Sequence, residues 1–162
     1  SFHCARGQEF NNRFAKICLR SCLSNLSVQF RTSKDEGPKL IVGSMTSEQE
    51  NLDTLMHIIV AQNIGWDVTY VGGNIPHDEL IHIANKISAR AMVLAFNNSR
   101  DISRKAHEIR VIKNESEQRD NIVLIGSEVH NFRQLADDVK AIISNDLSSF
   151  RLTMERLYGL IR

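Results

Sequence analysis

The sequence predicts an α/β fold, a doubly wound sheet of five parallel strands with an extra helix at the N-terminus. Three observations carry this expectation. From Lys39 onward, short apolar runs of strand length alternate with stretches of helical periodicity. The runs are apolar at nearly every position, as strands covered on both faces require. The stretches between them are long enough for the crossovers that join parallel neighbours.

Taken in order, Phe10, Phe14, Ile17, Cys18 and Leu26 recur at roughly helical spacing and mark a helix within Gln8 to Phe30. This gives an N-terminal helical segment over residues 1–33. Arg31 to Pro38 is polar, charged and closed by Gly-Pro, which places a linker at residues 34–38, before an α/β domain over 39–162. Lys39 to Gly43 is the first strand. Glu48 to Asn63 is the first helix, with Leu52, Leu55, Met56, Ile59 and Val60 on one face and a stop at Asn63-Ile64-Gly65. Trp66 to Val71, rich in β-branched and aromatic residues, is the second strand. His77 to Ser88 repeats the helical pattern behind Pro76, which suits a helix start. Ala91 to Phe96 is the third strand, Asp101 to Ile112 the third helix, and Asn121 to Gly126 the fourth strand. Asn131 to Val139 is a short helix and Ala141 to Ser144 the last strand. Asp146 to Leu160 closes the chain as a helix capped by Asn145 or Asp146.

Crossovers between parallel strands are right-handed, and the flavodoxin-like (Rossmann-like) order 2-1-3-4-5 is the expected topology. In such a sheet a ligand sits beyond the carboxyl ends of the strands, where the order reverses between the first and third. The loops that meet there are Ser44 to Glu50, Phe96 to Asp101 and Gly126 to Asn131, with Gly72 to Pro76 on the flank.

Composition narrows the function classes. With 162 residues, of which 42% are hydrophobic, the chain can bury the core of one domain of moderate size. A formal net charge of +1 provides no long-range field, so nucleic-acid binding by this fragment alone is not expected. No apolar run nears the roughly 20 residues of a spanning helix, and the N-terminus lacks a signal-peptide core; the expectation is no membrane partner and a cytoplasmic location. Cys4, Cys18 and Cys22 are odd in number and lack Cys-x-x-Cys spacing, which reads as reduced thiols. A start at Ser-Phe-His-Cys reads as a piece cut from a larger protein.

Several chemistries that use this architecture fail by residue type. A phosphate-receiving domain needs carboxylates after the first strand, an Asp ending the third and a Lys ending the fifth; these places hold Gly43-Ser44, Phe96 and Ser144. Ser44, Thr46 and Ser47 superficially match a flavin-phosphate loop, but Glu48 and Glu50 put negative charge where the phosphate must lie. A Gly-x-Gly-x-x-Gly fingerprint is absent. The Glu48, Glu50 and Asp53 run reads first as an acidic turn stabilising a helix N-terminus, with catalytic carboxylates as the minor alternative.

Lys39 to Arg162 resembles the cobalamin (vitamin B12)-binding domain of corrinoid methyltransferase proteins and of light-responsive, MerR-type transcriptional regulators. The resemblance rests on Val42-Gly43-Ser44 ending the first strand, on Tyr70-Val71-Gly72 through Pro76 after the second, and on the motif Asp/Glu-x-His-x-x-Gly between them. That motif falls on Glu48-Gln49-Glu50-Asn51-Leu52-Asp53. The acid is kept, the histidine is Glu50 and the glycine is Asp53. In the family the imidazole coordinates cobalt and the glycine lets the nucleotide tail pass. A carboxylate is a poor substitute for that neutral nitrogen. The family's Ser-x-Leu or Ser-x-Thr after the third strand meets Ala95-Phe96-Asn97, and its Gly-Gly after the fourth is Gly126-Ser127.

The residues that the resemblance implies around a cofactor are Ser44, Met45, Thr46, Glu48, Glu50, Asp53, Gly72, Gly73, Phe96, Asn97, Gly126, Ser127 and His130. It implies a tetrapyrrole ligand, with cobalamin weakened by the lost histidine. Haem is the alternative, and His130, in the loop after the fourth strand, is its candidate ligand. His57 falls mid-helix at a position that packs or hydrogen-bonds, and His77, His82 and His107 form no metal-spaced pair. The expectation is a non-catalytic regulatory or sensory module with lost or altered cofactor binding, acting through self-association or an upstream DNA-binding domain. A functional corrinoid protein of methyl transfer is the competing class. In the regulators a helical bundle precedes the sheet, and Gln8 to Phe30 is either its tail or a simple packing helix.

Overall fold

Alternation at single-residue spacing builds the sheet, because successive side chains in a strand point to opposite faces and both faces here are covered. The structure is a computed structural model. It describes residues 19, 21, 22, 25, 37–45, 52–96, 99–117 (main chain alone over 99–104), 121–126, 129 and 133–159. The elements are β1 (Lys39–Ser44), α1 (Leu52–Ile64), β2 (Asp67–Gly73), α2 (His77–Lys86), β3 (Ala91–Ala95), α3 (Ser99–Glu115), β4 (Ile122–Ile125), α4 (Arg133–Val139), β5 (Ile142–Ser144) and α5 (Leu147–Tyr158). All pairings in the sheet are parallel, in the order β2-β1-β3-β4-β5. Fold class and strand order are as the sequence predicts. Of the expected N-terminal helix, Leu19, Ser21, Cys22 and Asn25 are helical and exposed; the rest lies outside the described residues.

The two faces are distinct cores. Leu40, Val42, Val93, Ala95 and Ile125 pack with Ile58 and Ala61 of α1 and with Phe150 and Met154 of α5. Their neighbours Ile41, Met92, Leu94 and Leu124 pack on the other face, under Leu80 and Ala84 of α2, Ile109 and Ile112 of α3, and Leu135 and Val139 of α4.

Element ends differ from expectation for identifiable reasons. Helix α3 extends beyond Asp101 to Ile112 at both ends, because Ser99, Arg100 and Lys113 to Glu115 are polar and the apolar periodicity does not mark them. Helix α2 stops at Lys86 rather than Ser88. Ser88 adopts φ 54°, and the amides of Ser88 and Ala89 bond back to the carbonyls of Asn85 and Ala84, a helix-ending pattern usually built on glycine. Strand β2 runs through Gly72 and Gly73, which the sequence reading placed in the following loop. Val42 pairs with Tyr70 but Ser44 with Gly73, so β2 carries one extra residue, a bulge made where Gly72 takes φ 87°. At the start of α5 the cap is Asp146: its carboxylate accepts from the Ser149 amide at 2.7 Å while the Ser149 hydroxyl accepts from the Asp146 amide at 3.2 Å.

Candidate ligand-binding crevice

The carboxyl rim of the sheet is held by main-chain hydrogen bonds that continue past the strands. The Asn74 amide donates to the Ser44 carbonyl (2.9 Å), Met45 to Ala95 (3.0 Å) and Phe96 to Ile125 (2.9 Å). Gly126 sits so tightly on this line that a Cβ there would stand 2.1 Å from the Phe96 carbonyl oxygen, and its φ is 147°. The fold therefore brings Ser44, Met45, Gly73, Phe96 and Gly126, five residues singled out in the sequence, onto one rim, with Gly72 in the bulge beside it.

Their side chains have different fates. Ser44 is buried at the end of β1. Met45 and Phe96 turn into the core under α2, α3 and α4, together with Ile75 and Val129. Phe96, the middle residue of the Ala95-Phe96-Asn97 stretch that stands for the family's Ser-x-Leu or Ser-x-Thr, is thus packing. Thr46, Glu48, Glu50, Asn97, Ser127 and His130 lie outside the described residues.

Asp53 belongs to a second locus, the seam between α1 and α5. It stands in the first turn of α1, its side chain 38% exposed, with a carboxylate oxygen 3.6 Å from His57 Nδ1. His57 Nδ1 lies 2.7 Å from the Asp53 carbonyl oxygen. A carbonyl only accepts, so Nδ1 carries the proton and Nε2 the lone pair. The imidazole packs edge to face on Phe150, with centroids 4.7 Å apart and planes at 77°. His57 is 3% exposed, and its buried Nε2 has no partner. Asp146, across the seam, has its carboxyl held below the ordinary range, chiefly by the Ser149 amide and hydroxyl, with smaller contributions from the Ser148 amide and, when the ring is protonated, from His57. The sequence reading of His57 as a packing or bonding residue stands; its partnership with Phe150, 93 positions away (150 minus 57), had no local signal.

The remaining described histidines are at the surface: His82 and His107 are exposed and His77 is half-buried at the start of α2. Among the described residues no three His, Cys, Asp or Glu side chains gather as a metal site, and no helix is long and apolar enough to cross a membrane.

Sheet order and rim together define a flavodoxin-like α/β module whose topological switch point lies between the neighbours β1 and β3. Among solved structures, it is similar to a cobalamin-binding protein from Desulfitobacterium hafniense DCB-2, with a TM-score of 0.65 and 12% identity over 93% of this chain and 77% of that one. It is also similar to the monomethylamine corrinoid protein of Methanosarcina barkeri, with a TM-score of 0.61 and 12% identity. That match covers 81% of this chain and 63% of the corrinoid protein, so the chain spans less than two thirds of its length. At such identities the likeness shows a shared fold. No family model and no curated protein matches the chain.

Proposed function

We propose that this chain is a regulatory or sensory module on the cobalamin-binding fold, non-catalytic, in which the grip on cobalt is lost or altered. Its output passes to an upstream DNA-binding or signalling domain and through self-association. The likeness to two corrinoid-type structures supports the fold half of this reading. The other half rests on one observation, the first turn of α1. Where the resemblance calls for a glycine beside a nucleotide tail, Asp53 projects a carboxylate, turned toward His57.

The described residues do not fit a cobalt-gripping site. A protein ligand to cobalt would have to be a neutral nitrogen donor at the crevice. The one buried imidazole among them, His57, has Nδ1 engaged by the Asp53 carbonyl and its ring packed against Phe150.

The test is absorption spectroscopy of the protein titrated separately with hydroxocobalamin, adenosylcobalamin and haemin. Unchanged cobalamin spectra are expected. A shifted cobalamin spectrum at stoichiometric ligand would overturn the reading in favour of a corrinoid protein of methyl transfer. A haem spectrum abolished by His130→Ala would favour a haem sensor on the same fold. Glu50→His combined with Asp53→Gly is expected to raise cobalamin affinity; no gain would count against placing the family motif on Glu48 to Asp53.

A further inference from the structure

A buried polar atom without a partner carries a standing cost and calls for an explanation. His57 Nε2 is such an atom, and its surroundings differ on its two sides. On the Nδ1 side the ring is fixed to its own helix through the Asp53 carbonyl. On the other flank it meets the ring of Phe150, the fourth residue of α5. Both helices begin at the carboxyl rim, so His57 lies about 8 Å along α1 from its first residue, at 1.5 Å per residue.

We propose that His57 is a proton-operated catch on the seam between α1 and α5. Neutral, the ring has its one N–H bonded and leaves only an acceptor lone pair unmet, and it packs closed against Phe150. Protonated, it gains a second N–H that points into a buried place without an acceptor, and a charge in an apolar seam. Two carboxylates face it among the described residues, Asp53 from its own helix and Asp146 from the cap of α5. The strands beneath contribute Leu40, Val42, Val93, Ala95 and Ile125 to this core, none of them charged. Asp53 is more than a third exposed, so solvent screens its attraction, and Asp146 is already committed to the Ser149 amide. Neither carboxylate bonds Nε2 in this arrangement. The seam relieves the unmet N–H by loosening the first turn of α5, letting water or the Asp146 carboxylate reach Nε2. Because both helices border the rim, such a step changes the width of the crevice. This mechanism does not depend on any cofactor and goes beyond the function proposed above.

The experiment is amide hydrogen exchange on the intact chain between roughly pH 7.5 and 5.5, the range in which imidazoles commonly change charge, expressed as protection factors so that intrinsic rates cancel. Protection at Phe150 and Arg151 is expected to fall about tenfold toward the acid end, the scale of one unmade buried hydrogen bond, while Leu80 and Ala84 in α2 hold theirs. His57→Phe is expected to abolish the difference. The catch is overturned if α5 loses no more protection than α2, or if the loss survives in His57→Phe. Should that variant not fold, the wild-type His57 Cε1 proton resonance decides. A midpoint that tracks the opening of α5 supports the catch, and a mismatch refutes it.

Discussion

Phe96 and Phe150 are the same side chain, each 1% exposed, on opposite faces of one sheet, and they differ in company. Phe96 joins Met45, Ile75, Leu94 and Val129 in the core under α2, α3 and α4. Phe150 packs on a histidine whose Nε2 is unpaired, in a core where Trp66 Nε1 also donates to the Met154 carbonyl at 3.2 Å. The named partners of Phe96 are all apolar, so its contribution is one of packing density. The face of Phe150 admits polar atoms, and polar atoms give a buried seam a second state that an apolar one lacks, since they respond to protons and water. Equal burial therefore does not mean equal function.

The sharpest way to break this comparison is to remove each ring. Phe96→Ala is expected to cost about 4–5 kcal/mol, the upper part of the range for phenylalanine truncation, because an apolar hole stays dry. Phe150→Ala should cost about 3 kcal/mol, because water entering that space finds an acceptor in His57 Nε2. Urea denaturation midpoints with unchanged slopes measure both, and an equal or larger loss at Phe150 would contradict the distinction. Next in size is Gly126→Ala at the rim. Its φ of 147° and a Cβ placed 2.1 Å from the Phe96 carbonyl oxygen predict a loss of about 2–3 kcal/mol. A tolerated alanine would mean that the rim does not depend on that close approach.

Much of this fold is legible in the sequence because it is locally written. Runs such as Lys39 to Gly43 and Ala91 to Phe96, each followed by a helical stretch, state strand order and parallel pairing once right-handed crossovers are assumed. The stop at Asn63-Ile64-Gly65 and the alternative caps Asn145 and Asp146 were equally readable, and the structure selects Asp146. The candidate site was legible only as a set of loops. That Phe96 turns inward depends on the face it shares with Met92 and Leu94, which a uniformly apolar run does not label. That Gly72 is a bulge depends on register against β1, and that His57 meets Phe150 depends on two helices brought side by side by the whole sheet. Pairings between distant segments leave no mark in either segment's own periodicity.

The smallest expected effect lies at the helix starts. Helix α2 begins behind Pro76 with no side-chain cap, whereas α5 begins behind Asp146 with a reciprocal box. Asp146→Ala should therefore cost stability at neutral pH, while Pro76→Ala should not change how stability depends on pH. The sign follows from the carboxyl. Its unfolded value is near 3.8, and in the fold it is held lower, first by the Ser149 amide, then by the Ser149 hydroxyl. A group with a depressed folded value stabilises fully above its unfolded value and loses that contribution as pH falls through the folded one. Wild type and Asp146→Ala should thus differ in urea midpoint at pH 7 and converge in acid below 3.8. A gap that stays constant into acid would assign the effect to lost packing rather than to the charged cap. Ser149→Ala keeps the amide bond to the carboxylate and removes the hydroxyl with its contacts to the Asp146 main chain and to the Ser144 hydroxyl, so it should retain part of the pH-dependent gap between wild type and Asp146→Ala.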